Sequence, residues 1–345
     1  MLILLLILFL PGSSFAKVTG KCSNCHTMHN SQGGGEMATD RTPNGTPPYS
    51  TLLLDTCVGC HSSGVSSTTY DLGGCDVPVV YFTGGDPGTS YLAGGNYYWV
   101  KNTGNAYGHN PFGLVAADSL AYPPGSYPHI DSQVRCSGGS GSGAGSLGCH
   151  GNRFLENDAT MKGFHHQNDG GTLTTANTVA NSFRGLLGVK GHEDPDWEQE
   201  TTTDHNLYSG LAAPETMDDC NACHGSAPPE YSTISGFCAS CHKNFHDLAG
   251  TQSNGQWIRH PSDILLPQTG EYNGYPTYSV EAPVGYTDVS DPTRATAVVT
   301  CLSCHRAHGS DYPDMLRWDY TGMNAGGGTN TTGCFTCHTE KDTGS

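Results

Sequence analysis

Basic side chains are scarce in this 345-residue chain: 15 Lys and Arg stand against 32 Asp and Glu, for a formal net charge of −17. A surface of that sign repels nucleic acid and anionic membranes, so neither is expected as a partner. Core-forming residues are scarce too. Only 35% of the chain is hydrophobic, while 47 residues are Gly and 20 are Pro. Such a composition reads as loop-rich and too poor in apolar surface to fold around its own side chains alone. No apolar run suffices to cross a bilayer, since Leu2–Leu10 is half the length of about 20 residues that a span needs. Followed by Pro11, Gly12 and the small residues up to Ala16, it reads instead as the h-region of a signal peptide cleaved after Ala16. Residues 17–345 are then expected as one mature domain. No Cys stands at the cleavage point, which argues against a lipid anchor. No tandem repeat of fixed length is present, which argues against a solenoid.

What the chain has instead is cysteine and histidine, 15 and 17 residues respectively. Twelve of the cysteines fall in C-x-x-C-H runs: Cys22/Cys25-His26, Cys57/Cys60-His61, Cys220/Cys223-His224, Cys238/Cys241-His242, Cys301/Cys304-His305 and Cys334/Cys337-His338. This is the attachment signal for c-type haem: two thiols add across the porphyrin vinyl groups and the following His becomes an iron ligand. Zinc is the competing use of Cys pairs, but it does not require a His directly after each pair. A variant ends in Cys149-His150, with Ser146 where the first Cys of an ordinary motif would stand. The next Cys upstream is Cys136, across a Gly/Ser stretch flexible enough to loop out, giving a C-x(12)-C-H site. A single thioether from Cys149, or no haem there, are the alternatives. Cys75 is left over, as a buried free thiol or, if Cys149 acts alone, as a disulfide partner for Cys136. Seven covalent haems c are expected. Their apolar discs replace the missing aliphatic core, and their propionates add about two negative charges each.

With His26, His61, His150, His224, His242, His305 and His338 as proximal ligands, ten histidines remain, enough for every iron to be bis-His. The expected distal ligands are His29, His109, His166, His205, His246, His260 and His308; of the adjacent His165 and His166 either can be the ligand with the other as its hydrogen-bond partner, and the sequence leaves the roles of His129 and His192 open. His29 and His308 follow a proximal His by three residues, on the same side of a helical turn. A sixth ligand must approach from the opposite porphyrin face, so neither can easily complete its own haem and each is better placed for a neighbouring one. His246, four residues after His242, invites the same reasoning. His109 follows Gly108, which would let backbone approach a flat ring. Asp204 is placed to orient His205, and His192 is expected in an exposed acidic turn.

Between the sites, Pro78–Phe82 and Asn96–Val100 are β-prone, Gly33–Ser50 reads as a loop, and residues 267–300 as a covering loop. The expected fold is mostly irregular coil with short α-helices and a few short β-strands, a single haem-packed multihaem domain.

The opening run Cys22-Ser-Asn-Cys-His-Thr-Met-His-Asn-Ser resembles the outer-surface multihaem cytochromes of metal-reducing bacteria, some of which polymerise into extracellular filaments. Gly94-Gly-Asn-Tyr-Tyr-Trp-Val, Gly188-Val-Lys-Gly-His-Glu-Asp-Pro-Asp-Trp-Glu, Asp204-His-Asn and Cys301-Leu-Ser-Cys-His-Arg-Ala-His-Gly-Ser resemble segments of secreted relatives. The resemblance implies an exported electron carrier, found at the cell surface or outside the cell after periplasmic transit. In filament-forming members the second His of the opening motif ligates a haem in the adjacent subunit, which here implies His29. Homopolymerisation through haem–haem and His29 contacts, redox partner proteins and external acceptors such as metal oxides follow as expectations. The rival readings are a multihaem reductase for nitrite, hydroxylamine or a sulfur oxyanion, and a soluble periplasmic shuttle. The reductase needs an open iron beside an acid or base. The chain has no C-x-x-C-Lys site, and its histidine supply does not force an open iron.

Overall fold

The computed structural model describes residues 31–32, 35–36, 61, 66–71, 76–88, 92, 94–111, 114–120, 123–125, 134, 136, 149–150, 171–173, 183, 186, 189–193, 201–213, 233–246, 259–326 and 331–342. Among them the strands are two or three residues long and the two α-helices, Tyr98–Asn102 and Ile234–Ala239, five and six. Strands β1 (Ser31–Gln32) and β2 (Gly35–Glu36) pair antiparallel, as do β3 (Thr69–Asp71) and β4 (Asp76–Pro78). A three-stranded antiparallel sheet takes β5 (Gly171–Leu173), β6 (Gly191–Glu193) and β7 (Leu207–Tyr208) in that order. A second sets β10 (Ala297–Val299) between β8 (Ile264–Leu265) and β9 (Gly285–Tyr286). Irregular backbone and 3-10 turns link these pieces, as the Gly- and Pro-rich composition dictates. Among the described residues no helix is long and apolar enough to cross a membrane.

Two local expectations are corrected. Residues 267–300 are not merely a covering loop, because they carry most of the largest apolar cluster. Leu266, Tyr275, Tyr278, Val284, Tyr286, Ala297 and Val299 are buried together, with Cys337 packed on them. The tyrosines serve both as apolar bulk and as donors: Tyr275 Oη gives a 2.8 Å hydrogen bond to the Ala282 carbonyl and Tyr286 Oη a 3.2 Å bond to that of Thr277. Arg294 ties the same loop by donating to the carbonyls of Leu266, Pro267 and Tyr272.

Asn96–Val100 is not a strand either. The Asn96 side chain occupies the place of a β-partner, accepting from Phe82 N at 2.9 Å and donating to the Phe82 and Gly85 carbonyls at 3.2 and 2.9 Å. Its oxygen also accepts from Tyr98 N at 3.1 Å, starting the helix. Tyr97 and Val100, three apart and so on one helical face, then bury against Val80. The β-propensity of the aromatics is overridden by one amide that satisfies strand and helix at once.

Residues 306–310 thread between two neighbouring segments. His308 N donates to Gly94 O at 2.7 Å, Asn96 N to Gly309 O at 2.8 Å, His109 N to His308 O at 3.1 Å and Ser310 N to Tyr107 O at 3.0 Å. This ribbon needs glycine: a Cβ on Gly95, at φ +111°, would lie 2.3 Å from the Gly309 carbonyl, and one on Gly108 would lie 2.6 Å from that of His308. Gly108 thus admits a neighbouring strand, not the flat ring expected from sequence. The ribbon holds His109 and His308 side by side.

Candidate metal centres

The described C-x-x-C-H runs share one local shape. At Cys238, Cys301 and Cys334 the carbonyl of the first Cys accepts from the motif His N at 3.0 Å. The same carbonyls accept from the second Cys N, that of Cys241, Cys304 or Cys337, at 3.2 to 3.3 Å. A single tight turn therefore presents two thiols and an imidazole together. Caps start these turns. Thr233 Oγ1 accepts from Gly236 N at 2.9 Å, and Thr300 with Ser303 forms a reciprocal capping box.

Cys241, expected from sequence as an attachment thiol, has a neighbour of its own. Its half-buried sulfur takes a 3.8 Å contact from the Ser240 hydroxyl beside it. That hydroxyl already donates to the Phe237 carbonyl at 2.7 Å, the far stronger acceptor. The sulfur contact is thus a weak second one. It is a local feature of this turn that the C-x-x-C-H pattern does not encode.

The variant site reproduces the common turn across its long loop. His150 N donates to Cys136 O at 2.7 Å, the bond that the first Cys of an ordinary motif supplies. The Cys136 sulfur itself is disulfide-bonded, while Cys149 remains a thiol. None of the other described cysteines is its partner, since all of them are thiols.

The imidazoles are held in a common way. Nδ1 faces a backbone carbonyl in His61 (Pro78, 3.0 Å), His109 (Ala307, 2.7 Å), His205 (Asn206, 3.1 Å), His242 (Pro124, 2.8 Å), His260 (Pro261, 3.0 Å) and His305 (Asp314, 2.8 Å). A carbonyl only accepts, so Nδ1 carries the proton and Nε2 keeps its lone pair. A metal-bound His needs this outer hydrogen bond to fix its tautomer and orientation. His205 is turned by Asn206 and not by Asp204, whose carboxylate accepts from Thr203. Burial pushes the pKa of His61, His109, His260 and His305 down, against the opposing pull of those carbonyls. His242 falls to about 4 through burial and the nearby His109. These rings are neutral at pH 7, the form that ligates metal.

Three pairs of rings stand at nearly one separation. Centres are 6.1 Å apart for His109 and His242, 6.1 Å for His150 and His308, and 6.2 Å for His260 and His338. Metal–imidazole bonds of about 2 Å, plus roughly 1 Å from each nitrogen to its ring centre, set two axial imidazoles about 6 Å apart. Each pair joins a motif histidine to one expected as distal. The spacing, with the lone pairs left on His109, His242 and His260, fits an iron between the rings, and the motif thiols fit covalent porphyrin.

His246 and His205 differ from these. His246 Nε2 meets Asp263 Oδ2 at 2.8 Å, both side chains being buried, and Thr233 Oγ1 donates to the same oxygen at 2.7 Å. Its Nδ1 is buried without a hydrogen-bond partner and is the nitrogen left for a metal. His205 lies flat on Tyr278, ring centres 3.3 Å apart at 5°. His192, expected exposed, is half-buried within β6.

Thiols of different motifs also meet. Cys238 and Cys301 share a hydrogen bond, which holds the Cys301 thiol below its ordinary value and pushes that of Cys238 up. Burial raises Cys304 to about 12 and Cys337 to about 11, and Cys304 feels the charges of Cys337 and Cys334. Sequence reasoning named candidate ligands but not the groups that hold them. Pro78, Pro124, Ala307 and Asp314 act through main-chain oxygens, which leave no residue signature, and Asp263 and Glu271 carry no motif. Cys22, Cys25, His26, His29, Cys57, Cys60, His166, Cys220, Cys223 and His224 lie outside the described residues, as do Cys75, His129 and His165.

Residues 294–343, which contain the last two runs, match a family model described as a doubled CXXCH motif. The chain is 26% identical to C-type cytochrome OmcS of Geobacter sulfurreducens, over 87% of its own length and 78% of that protein. Two solved structures are similar at 20% identity. The outer membrane cytochrome S filament from Geobacter sulfurreducens has a TM-score of 0.44 and covers 95% of this chain and 92% of that one. The cryo-EM structure of OmcS nanowires from the same organism has a TM-score of 0.42, covering 95% and 94%. The sequence resemblance to the outer-surface multihaem cytochromes is thus matched by a named relative of that kind.

Proposed function

We propose that this chain is an exported seven-haem c-type cytochrome that moves electrons along closely packed bis-His haems, as the subunit of an extracellular filament. The observation that carries the reading is the common 6.1–6.2 Å spacing of three histidine pairs, each joining a motif ligand to a histidine from elsewhere in the chain. Haem supplies the one-electron couple, and a bis-His iron is closed to substrate. The chain's own residues set spacing, ligation and insulation. The shared ribbon brings the His109–His242 pair beside the His150–His308 pair, and the Cys238–Cys301 contact draws two further porphyrin attachment points together. Rings pinned at Nδ1 move little when charge changes, which favours rapid transfer.

On this reading, Cys238 and Cys241 hold one haem together, and the Cys241 sulfur can keep its weak Ser240 contact as a thioether. Cys136 and Cys149 hold the variant haem in the form where both are thiols, because the backbone bond from His150 to Cys136 matches that of ordinary motifs. His29, His166, His205 and His246 complete the distal set. Residues 1–16 direct export and residues 17–345 form one haem domain. His29 joins copies of the chain, and redox proteins and external acceptors such as metal oxides take the electrons. This is electron transfer and not substrate turnover, which separates it from a reductase.

The test is the spin state of the purified, haem-loaded protein. Low-spin ferric signals throughout, without carbon monoxide binding after reduction, are expected. A high-spin ferric haem or bound carbon monoxide would overturn the all-bis-His reading in favour of the reductase. Negative-stain microscopy of material sheared from cells separates the filament from the soluble shuttle, with discrete monomers alone counting against the filament.

A further inference from the structure

His338, the proximal ligand of the last motif, is set apart from the proximal rings of His61, His242 and His305. His61, His242 and His305 each face a neutral backbone carbonyl, whereas His338 Nδ1 faces the Glu271 carboxylate, with Oε1 at 3.4 Å. That nitrogen is buried and makes no full hydrogen bond, so a small closing movement of the carboxylate completes one. Glu271 is built into place. Its main-chain oxygen accepts from both Thr339 N and Thr339 Oγ1 at 2.7 Å, gripping the residue directly after His338. Thr339 Oγ1 in turn accepts from Gly274 N at 3.2 Å. On its outer side the carboxylate meets Lys341 Nζ, 3.2 Å from Oε2, and Tyr272 packs on the imidazole with ring centres 5.1 Å apart. The opposite neighbour of His338 is His260, whose own Nδ1 is held by a neutral carbonyl, so the negative charge acts from one side only.

We propose that Glu271 is a positioning residue that gives His338 imidazolate character and thereby sets the haem on Cys334 and Cys337 at a lower potential than those whose proximal rings face backbone carbonyls. This rests on the cytochrome reading above. The cause is charge: an anionic acceptor draws the Nδ1 proton, enriches the ring in electrons and favours ferric iron, whereas a neutral carbonyl does so weakly. Lys341, sharing the carboxylate, moderates the effect.

The experiment compares wild type, Glu271→Gln, Glu271→Asp and Lys341→Met as haem-loaded full-length protein, by optical redox titration with paramagnetic NMR of the haem methyl groups. Glu271→Gln is expected to shift one midpoint potential positive and leave the others in place. Glu271→Asp recovers part of the shift, and Lys341→Met moves the same haem negative. Loss of thermal stability in Glu271→Gln with every potential unmoved would reduce Glu271 to a structural clamp and overturn the proposal. Peptide mass mapping keeps the two readings apart. A Cys334–Cys337 peptide without haem sinks the cytochrome reading at this site, while a haem-bearing peptide with unchanged potentials sinks only the role of Glu271.

Discussion

Replacing His308 with Ala probes the ligand scheme most directly. His308 follows its own motif's His305 by three residues, yet its ring stands 6.1 Å from that of His150, which belongs to a different motif. The ring also meets Tyr97, with centres 4.8 Å apart at 34°. Losing one such tilted aromatic pair costs about 1 kcal/mol, small beside the roughly 5–15 kcal/mol that separates folded from unfolded domains. The ribbon survives, because its bonds to Gly94 and His109 use the main chain of residue 308. The variant is therefore expected to fold and load all its haems, with one iron of the proposed seven left five-coordinate. Ferric electron paramagnetic resonance should acquire a single high-spin component, and the reduced protein should bind one carbon monoxide per chain where wild type binds none. The open iron must be the one attached at Cys149, identifiable by the shifted methyl resonances of that haem. Opening of the haem at Cys301 and Cys304 instead, binding of two equivalents, or no binding at all would refute the assignment.

Other perturbations test other parts of the scheme. Asn96→Ala removes four hydrogen bonds from a buried amide, at about 1 kcal/mol each with one or more main-chain groups stranded; a loss of about 3–4 kcal/mol in chemical denaturation is expected, and a loss below about 1 kcal/mol would show that the amide is not what holds the Gly94–Val100 segment. Cys136→Ser should leave a haem joined by one thioether at Cys149, read as a haemochrome band moved to longer wavelength for one haem; an unchanged spectrum would mean that Cys136 never carries porphyrin. His29→Ala should leave a fully haem-loaded monomer unable to polymerise, and intact filaments in sheared preparations would remove His29 from the subunit contact.

Attachment chemistry was legible in the sequence because covalent haem demands fixed neighbours: two thiols and a histidine within five residues. That His308 looks away from its own haem was inferred from the spacing of a helical turn; the structure instead carries residues 306–310 as a ribbon, in which the His308 ring stands 6.1 Å from that of His150. Which proximal ring each distant histidine faces was not legible, because pairing is decided by how the ribbon of residues 306–310 threads between two other segments. Strand content was hard to read for a related reason. Strands of two or three residues show no period, so the tyrosines at 275, 278 and 286 passed for a covering loop when they are core. Asn96 misled in the other direction, its side chain substituting for the partner strand that the flanking aromatics led one to expect. The Ser240 contact on Cys241 was hidden because nothing in the motif restricts the residue between its two cysteines. Glu271 was invisible, lying far upstream of the histidine it faces and in no motif.

The tethering of ring nitrogens to carbonyls has an evolutionary consequence. A carbonyl oxygen belongs to every amino acid, so the groups that orient His61, His109, His242, His260 and His305 persist whatever side chain stands at positions 78, 307, 124, 261 and 314, provided the local path of the chain is kept. Mutational drift can therefore rewrite the protein's surface while the hydrogen bonds that orient these rings are inherited unaltered. His338 and His246 stand outside this protection, since a single nucleotide change at Glu271 or Asp263 alters their environment. Those two sites are where selection can retune one step of the electron path without disturbing the rest.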